Sequence, residues 1–347
     1  MTDSDLLKNT RLRYTTDKKS GYSRKRVKNL FEYFDTEGKK ITDQKIIDRI
    51  QKLVIPPAYK NVWICAYANG HLQATGYDIK GRKQYRYHPL WNQISQQEKF
   101  SHLLEFAQHL PKIRATVKQD LTLMGIQRKK VISAVVWLLE NTLIRIGNEE
   151  YERDNKSYGL TTLKNRHASV SYKSNIVFQF KGKSGVYHNV SIKNKKVAKI
   201  VRRCKELPGQ DLFEYKDEDG VIQTISSQDV NTYLQEITGA EITAKDFRTW
   251  GGTVLAATAF DKAGITLQED ESKKNIVETV KKVASHLRNK PTTCRKYYIH
   301  PHVIDAYIKG SVLSNWGKMA NAKKVKRIDG LDDDENNVVA MIRGLMN

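Results

Sequence analysis

The chain has 347 residues, 39% hydrophobic and 28% charged, and its 60 Lys and Arg against 38 Asp and Glu give a formal net charge of +22. That length predicts two domains, and no apolar run reaches the roughly 18 residues of a membrane span, nor does a signal peptide open the chain. Cys65, Cys204 and Cys294 are scattered without a C-x-x-C pair, which argues against a disulfide framework or zinc site and fits a reducing cytosol.

So large a cationic excess calls for a polyanion, and nucleic acid is the usual one; the alternative is a halo of solvated lysines that aids solubility. Residues 1 to about 25, with Lys8, Arg11, Arg13, Lys18, Lys19, Arg24 and Lys25, read as a mobile basic arm. Phe31, Tyr33 and Phe34 before Glu37-Gly38 predict a strand and a turn. Asp43 is a candidate N-cap for a short helix carrying Ile46, Ile47, Ile50 and Leu53, ended by Pro56-Pro57. Extended segments follow at 62–67 and 71–76 across an Asn69-Gly70 turn, and at 83–88. Residues 1–90 are therefore expected to form a small, mainly antiparallel β domain, with 91–347 as the second domain.

From about 98 the spacing is helical. Leu103, Leu104, Phe106 and Leu110 run into Pro111, which is expected to end that helix, and 113–123 predicts another closed by Gly125. Residues 127–146 are apolar on most faces and predict a central buried helix ending at Arg145-Ile146-Gly147. Short strands are expected at 160–163, 168–172, 176–180 and 186–190, the last two joined by Lys181-Gly182-Lys183-Ser184-Gly185. Helices resume at about 193–205, 227–238, 243–260, 270–287, 292–309 and 333–345, with a small hairpin at Asp219-Gly220. The fold class is α+β, with a mostly helical second domain that holds a small sheet.

Chemistry concentrates between 289 and 301, where the adjacent Tyr297 and Tyr298 stand among Lys290, Arg295 and Lys296. A phenol, with an ordinary pKa of about 10, needs nearby cations to approach a phosphate as a phenolate. The alternative is two half-buried aromatics at a helix start, and spacing does not separate the two tyrosines. Gly76–Lys83 and Gly182-Lys183-Ser184 are failed phosphate loops, the first lacking Lys-Ser/Thr and the second its leading Gly. With no H-E-x-x-H and no tight Asp/Glu cluster for magnesium, Arg, Lys and His must neutralise phosphate. The candidates are Arg145 at the end of the buried helix, Lys183 on a tight turn, Arg248 early in a helix and Asn289 nine residues before Tyr298. Singly, each is better explained by a salt bridge or a solvated surface. Together, two guanidiniums and an amide could hold the charge of pentacoordinate phosphorus while a lysine protonates the departing 5′ oxygen.

From about Phe31 onward the sequence resembles the poxvirus-type, or bacterial-type, type IB DNA topoisomerases. The resemblance is carried by Ile55-Pro56-Pro57-Ala58, Val62-Trp63-Ile64-Cys65, His71-Leu72-Gln73-Ala74-Thr75-Gly76, Lys80-Gly81-Arg82-Lys83-Gln84-Tyr85-Arg86-Tyr87-His88, Arg145-Ile146-Gly147-Asn148, Thr162-Leu163-Lys164-Asn165-Arg166-His167, Lys245-Asp246-Phe247-Arg248-Thr249-Trp250-Gly251 and Cys294-Arg295-Lys296-Tyr297-Tyr298-Ile299-His300-Pro301. It implies a β-rich N-terminal clamp domain and a tyrosine recombinase-like helical catalytic domain that close on duplex DNA, hinged near 89–97. It implies Arg145 and Arg248 as phosphate clamps, Lys183 as general acid and Tyr298, selected by the Tyr-Ile-His-Pro ending, as nucleophile. Asn289 takes a place that is histidine in poxvirus members and asparagine in bacterial ones, while His286, out of register, is read as structural. Lys80, Arg82, Gln84, Tyr85, Tyr87 and Tyr151 are the implied DNA contacts, against the alternative of an ordinary amphipathic strand at 83–88. The implied activity is relaxation of supercoiled DNA through a 3′-phosphotyrosyl intermediate, without ATP or metal, by a monomer in the cytoplasm beside the nucleoid, or in the virion or viral factory. The alternatives are a tyrosine recombinase, disfavoured because Lys245-x-x-Arg248 replaces its usual His-x-x-Arg, and a non-catalytic DNA-binding protein.

Overall fold

The computed structural model describes residues 7–346 other than 9, 29, 267 and 323–325, and side chains other than those of 96, 97, 99, 101, 151, 321, 322, 345 and 346. The chain divides into two compact units, 1–101 and 102–347. No helix among the described residues is long and apolar enough to cross a membrane.

The first unit is built on an antiparallel sheet of β1 (Tyr22–Val27), β2 (Leu30–Phe34), β3 (Lys60–Ile64), β4 (Leu72–Tyr77) and β5 (Lys83–Tyr87), in the order β2-β1-β3-β4-β5. Helix α1 (Gln44–Lys52) begins at Asp43, whose carboxylate accepts the Lys45 N–H at 2.8 Å, and sets Ile50 against Val62, Ile64 and Ala74. The expected mobile arm is largely structure. Leu7 and Leu12 are buried with Trp91, Tyr14 stacks on His71 at 4.8 Å, the Thr15 N–H donates to His71 Nδ1 at 3.0 Å, and Tyr22 already lies in β1. The cations masked two apolar anchors in that stretch; residues 1–6 and Asn9 lie outside the described residues. Arg24, counted with the arm, donates to the carbonyls of Ile55, Pro56 and Tyr59 and so fixes the Pro56-Pro57 loop.

Helix α2 (Pro89–Asp120) runs through Pro111. The stretch 89–97, expected as a hinge, is its first part. A proline removes one helical bond, at a cost of about 3 kcal/mol, but Phe106, Leu110, Ile113 and Val117 on either side are all buried, and that burial outweighs it.

In the second unit α3 (Arg128–Thr142) is the buried centre, stopping four residues before the end its apolar pattern suggests because Leu143 takes a left-handed φ of 52°. After α4 (Glu149–Asn155), the strand expected at 160–163 is a 3-10 turn over Leu160–Thr162, held by its bonds back to the segment after α3. β6 (Ala168–Val170), β7 (Asn175–Lys181) and β8 (Tyr187–Lys193) form an antiparallel sheet, followed by α5 (Lys195–Lys205), the β9 (Glu214–Lys216) and β10 (Ile222–Thr224) hairpin, and α6 (Ser227–Thr238). Helix α7 (Ala244–Ala263) packs on α3, on α8 (Glu269–Leu287) and on the last helix, α12 (Asp333–Met346). The single helix expected at 292–309 is two, α9 (Pro291–Tyr297) and α10 (Pro301–Ile308), because Pro301 disfavours the α conformation in the residue before it. A helix the sequence did not suggest, α11 (Leu313–Ala322), follows; the basic run at 318–327 lies partly outside the described residues.

Candidate active site

The break between α9 and α10 creates the site. Tyr298 closes α9, its N–H donating to the Cys294 carbonyl at 2.9 Å, and the chain then leaves the helix with Ile299 and His300 buried. Tyr297 points outward, 41% exposed and under the Lys296 ammonium, so the fold separates the two phenols. Gly252 on α7 lets the Tyr298 backbone close in: a β-carbon there would stand 2.6 Å from the Tyr298 carbonyl oxygen.

Arg248 lies one turn into α7, which starts where Asp246 accepts both the N–H and the hydroxyl of Thr243 at 2.8 Å. It is 3% exposed, and its guanidinium donates to the carbonyls of Leu143 and Leu287. Those carbonyls end α3 and α8, so the buried cation faces the negative ends of two helices. Its carbon sits 5.0 Å from the Tyr298 ring centre.

Arg145 is not on α3 but on the extended segment beyond it. Its carbonyl accepts the Leu160 N–H at 2.9 Å, and the Ile146 carbonyl accepts that of Thr161 at 2.7 Å. Gly159 is needed for this contact, since a β-carbon there would stand 2.6 Å from the Arg145 carbonyl oxygen. The Arg145 Nη2 donates to the amide oxygen of Asn289, which follows the left-handed Arg288 at the end of α8. Lys183 stands on the β7–β8 turn, where Ser184 and Gly185 have φ of 64° and 79°.

These side chains meet. A cavity of about 290 Å³ is lined by Arg145, Lys183, Lys245, Arg248 and Tyr298, and another of about 670 Å³ by Arg145, Lys183, Arg288, Asn289, Lys290 and Tyr298. Arg145 Nη1, Arg248 Nε and Asn289 Nδ2 are buried donors with no protein acceptor, which suits a ligand rich in acceptor oxygens. Burial pushes the Tyr298 phenol up, but Arg248, Arg145 and Lys183 outweigh it, and its pKa falls below the ordinary value. Burial and then Arg145 bring Arg248 down to about 10, against the pull of Tyr298.

The spacing missed Ser157, Tyr158 and Lys245, which line the smaller cavity, and Arg288 and Tyr187, which line the larger together with Lys290, one of the cations noted around the two tyrosines. Lys245 and Lys290 stood beside singled-out residues; Tyr158 carried no signal. Tyr151 lies on α4, and its side chain is outside the described ones. In the first unit, Tyr85 and Tyr87 on the edge strand β5 are 49% and 39% exposed with rings 6.1 Å apart. Arg82 and Gln84 both bond the Asp78 carboxylate, at 2.7 and 3.2 Å, and Lys80 is exposed on the neighbouring turn. His286 is exposed and lines neither cavity, standing instead in a crevice with Leu255 and Lys282 of α7 and α8.

Residues 88–324 match the family model described as eukaryotic DNA topoisomerase I, catalytic core, and residues 30–78 that of the bacterial DNA topoisomerase IB N-terminal domain. The DNA topoisomerase 1B of Acanthamoeba polyphaga mimivirus is 35% identical over 287 residues, 81% of this chain and 84% of that one. That of Vaccinia virus (strain Copenhagen) is 21% identical over 290 residues, 78% of this chain and 88% of the other.

Proposed function

The chain belongs to the type IB DNA topoisomerases, and we propose that it relaxes supercoiled duplex DNA with Tyr298 as its nucleophile. The observation that carries this reading is the convergence of Tyr298 with Arg145, Lys183, Arg248 and Asn289 around paired cavities into which unpartnered donors open.

A backbone phosphate seated there would take bonds from Arg145, Arg248 and Asn289, which gain strength as charge grows on its non-bridging oxygens. Tyr298 Oη, having lost its proton to solvent, attacks phosphorus as the phenolate, the bond to the 5′ oxygen breaks, and Lys183 Nζ gives that oxygen a proton. The 3′ end stays bound to Tyr298, the free 5′-hydroxyl end swivels, and its attack on phosphorus reverses each transfer. The ester energy is retained in the phosphotyrosine, so the cycle draws on neither nucleotide nor metal. One chain supplies every group, so a monomer suffices. Tyr85 and Tyr87, with Lys80, Arg82 and Gln84, offer the duplex aromatic and hydrogen-bonding contacts from the sheet edge, and Tyr151 is a further candidate. Such a substrate places the enzyme with a genome, in the nucleoid of a bacterial cytoplasm or in a viral factory or virion.

Supercoiled plasmid incubated with the protein in EDTA, without ATP, should yield a ladder of relaxed topoisomers. No relaxation by a folded, DNA-binding preparation would overturn the reading.

A further inference from the structure

A lysine on a tight turn needs something beneath it to fix its height. Under the Lys183 turn lies His188, on β8 directly opposite Phe180 of β7. Its imidazole is 3% exposed and stacks on the Phe180 ring with centroids 4.5 Å apart and planes 20° from parallel. Gly182 rests on the edge of that imidazole: a β-carbon there would stand 2.5 Å from His188 Nε2 and 2.8 Å from Cδ2. Gly182 has φ −94°, open to any residue, so glycine serves the close approach and not the backbone angle.

The row continues. His167 lies 6.5 Å from Phe180, and Tyr158 lies 4.4 Å from His167. Tyr158 lines the cavity, and its N–H donates to the Lys181 carbonyl at 2.9 Å. Residues on the near side of the turn are thus tied to one aromatic row. Neither ring nitrogen of His188 has a hydrogen-bond partner, so the ring acts by shape. Burial, reinforced by Arg288, Arg145 and Arg248, drives its pKa down to about 3 and keeps it neutral.

We propose that His188 is a positioning residue for the general acid, the seat on which Gly182 sets the reach of Lys183 Nζ toward the departing 5′ oxygen. This rests on Lys183 being the proton donor. In that step the bond from phosphorus to the 5′ oxygen breaks as the bond to the Tyr298 phenolate oxygen forms, one Nζ proton passes to the 5′ oxygen, and on resealing the neutral amine takes it back as the phenolate departs. His188 exchanges no proton.

The test is single-turnover cleavage of a duplex whose scissile 5′ bridging atom is oxygen or sulfur, since a thiolate leaves without protonation. His188→Ala should slow cleavage of the oxygen duplex by about ten- to a hundredfold, while the sulfur duplex is cut within about threefold of the parent rate. Lys183→Ala should show the same selectivity more deeply. If sulfur does not rescue Lys183→Ala, the acid assignment itself fails. If it rescues Lys183→Ala but not His188→Ala, or if His188→Ala cuts the oxygen duplex at the parent rate, the positioning role is wrong. Gly182→Ala carries the test from the other side, also where His188→Ala does not fold. Its new methyl meets the imidazole, so it should be slow on oxygen and normal on sulfur; equal loss on both overturns the proposal. Where both fold, adding His188→Ala should restore part of the Gly182→Ala rate.

Discussion

Arg248 sits with its guanidinium carbon 5.0 Å from the centre of the Tyr298 ring and, with Arg145 and Lys183, holds the phenol below its ordinary pKa against the effect of burial. The reactive phenolate therefore becomes available at lower pH than for a free tyrosine, and single-turnover cleavage should rise with pH and level off below about pH 10. Arg248→Gln keeps a donor for the Leu143 and Leu287 carbonyls but removes the largest opposing charge, so the midpoint should move to higher pH. An unchanged midpoint would show that Arg248 does not set the ionisation of Tyr298.

Tyr298→Phe should abolish relaxation and covalent capture of DNA while leaving duplex binding intact, measured by gel shift and by denaturing-gel trapping. Tyr297→Phe, on the outward face, should stay within about threefold of the parent, as expected for an exposed side chain. Activity surviving in the first variant and lost in the second would exchange the two roles.

Gly252→Ala puts a methyl 2.6 Å from the Tyr298 carbonyl oxygen. Tyr298, the proposed nucleophile, must then shift, and a displacement of about 1 Å costs on the order of a hundredfold in rate. DNA binding should be unaffected. A parent-like cleavage rate would mean that the α9–α10 break can yield without moving the phenol.

Asn289 both accepts from Arg145 and has a buried unpartnered amide nitrogen. Asn289→Ala should slow cleavage by about 10²-fold, the usual cost of losing one transition-state donor. Asn289→Asp should be slower still, because its carboxylate faces the incoming phosphate. Rates for Asp above those for Ala would contradict the donor role.

Arg114 joins the Glu335 carboxylate through both terminal nitrogens, at 2.8 and 2.7 Å, and Trp250 Nε1 donates to the same group at 3.0 Å. Burial alone would raise Glu335, but Arg114 and Trp250 hold it below its ordinary value of 4.5. The stabilisation is therefore full above about pH 4.5 and lost as pH falls through the depressed folded value. Glu335→Gln should cost roughly 3 kcal/mol at neutral pH and much less in acid, read from urea midpoints at each pH. A loss that stays constant down to pH 3 would rule out this linkage.

Much of the fold was legible in the sequence because periodicity reports burial. Asp43, the Asn69-Gly70 turn and the apolar run at 131–139 each fall where local patterning puts them. What it could not report were the backbone reversals. Leu143 adopts a left-handed angle although nothing in its side chain requires it, so the apolar pattern extends the helix to Arg145, where the chain has already left it. Pro111 reads as a stop because propensity does not weigh the buried residues on both sides. The candidate site residues came forward through their place in recognisable motifs, whereas Tyr158 and His188 lie in short strands and turns whose neighbours are fixed only by tertiary pairing.

The Arg114–Glu335–Trp250 knot has one more outcome. Trp250 lies two residues from Arg248, so α12 buttresses the proposed phosphate clamp, and none of its described residues lines either cavity. A protease cut just after Leu331 would leave every proposed catalytic group in the chain and still remove the carboxylate that Arg114 and Trp250 share two residues from Arg248.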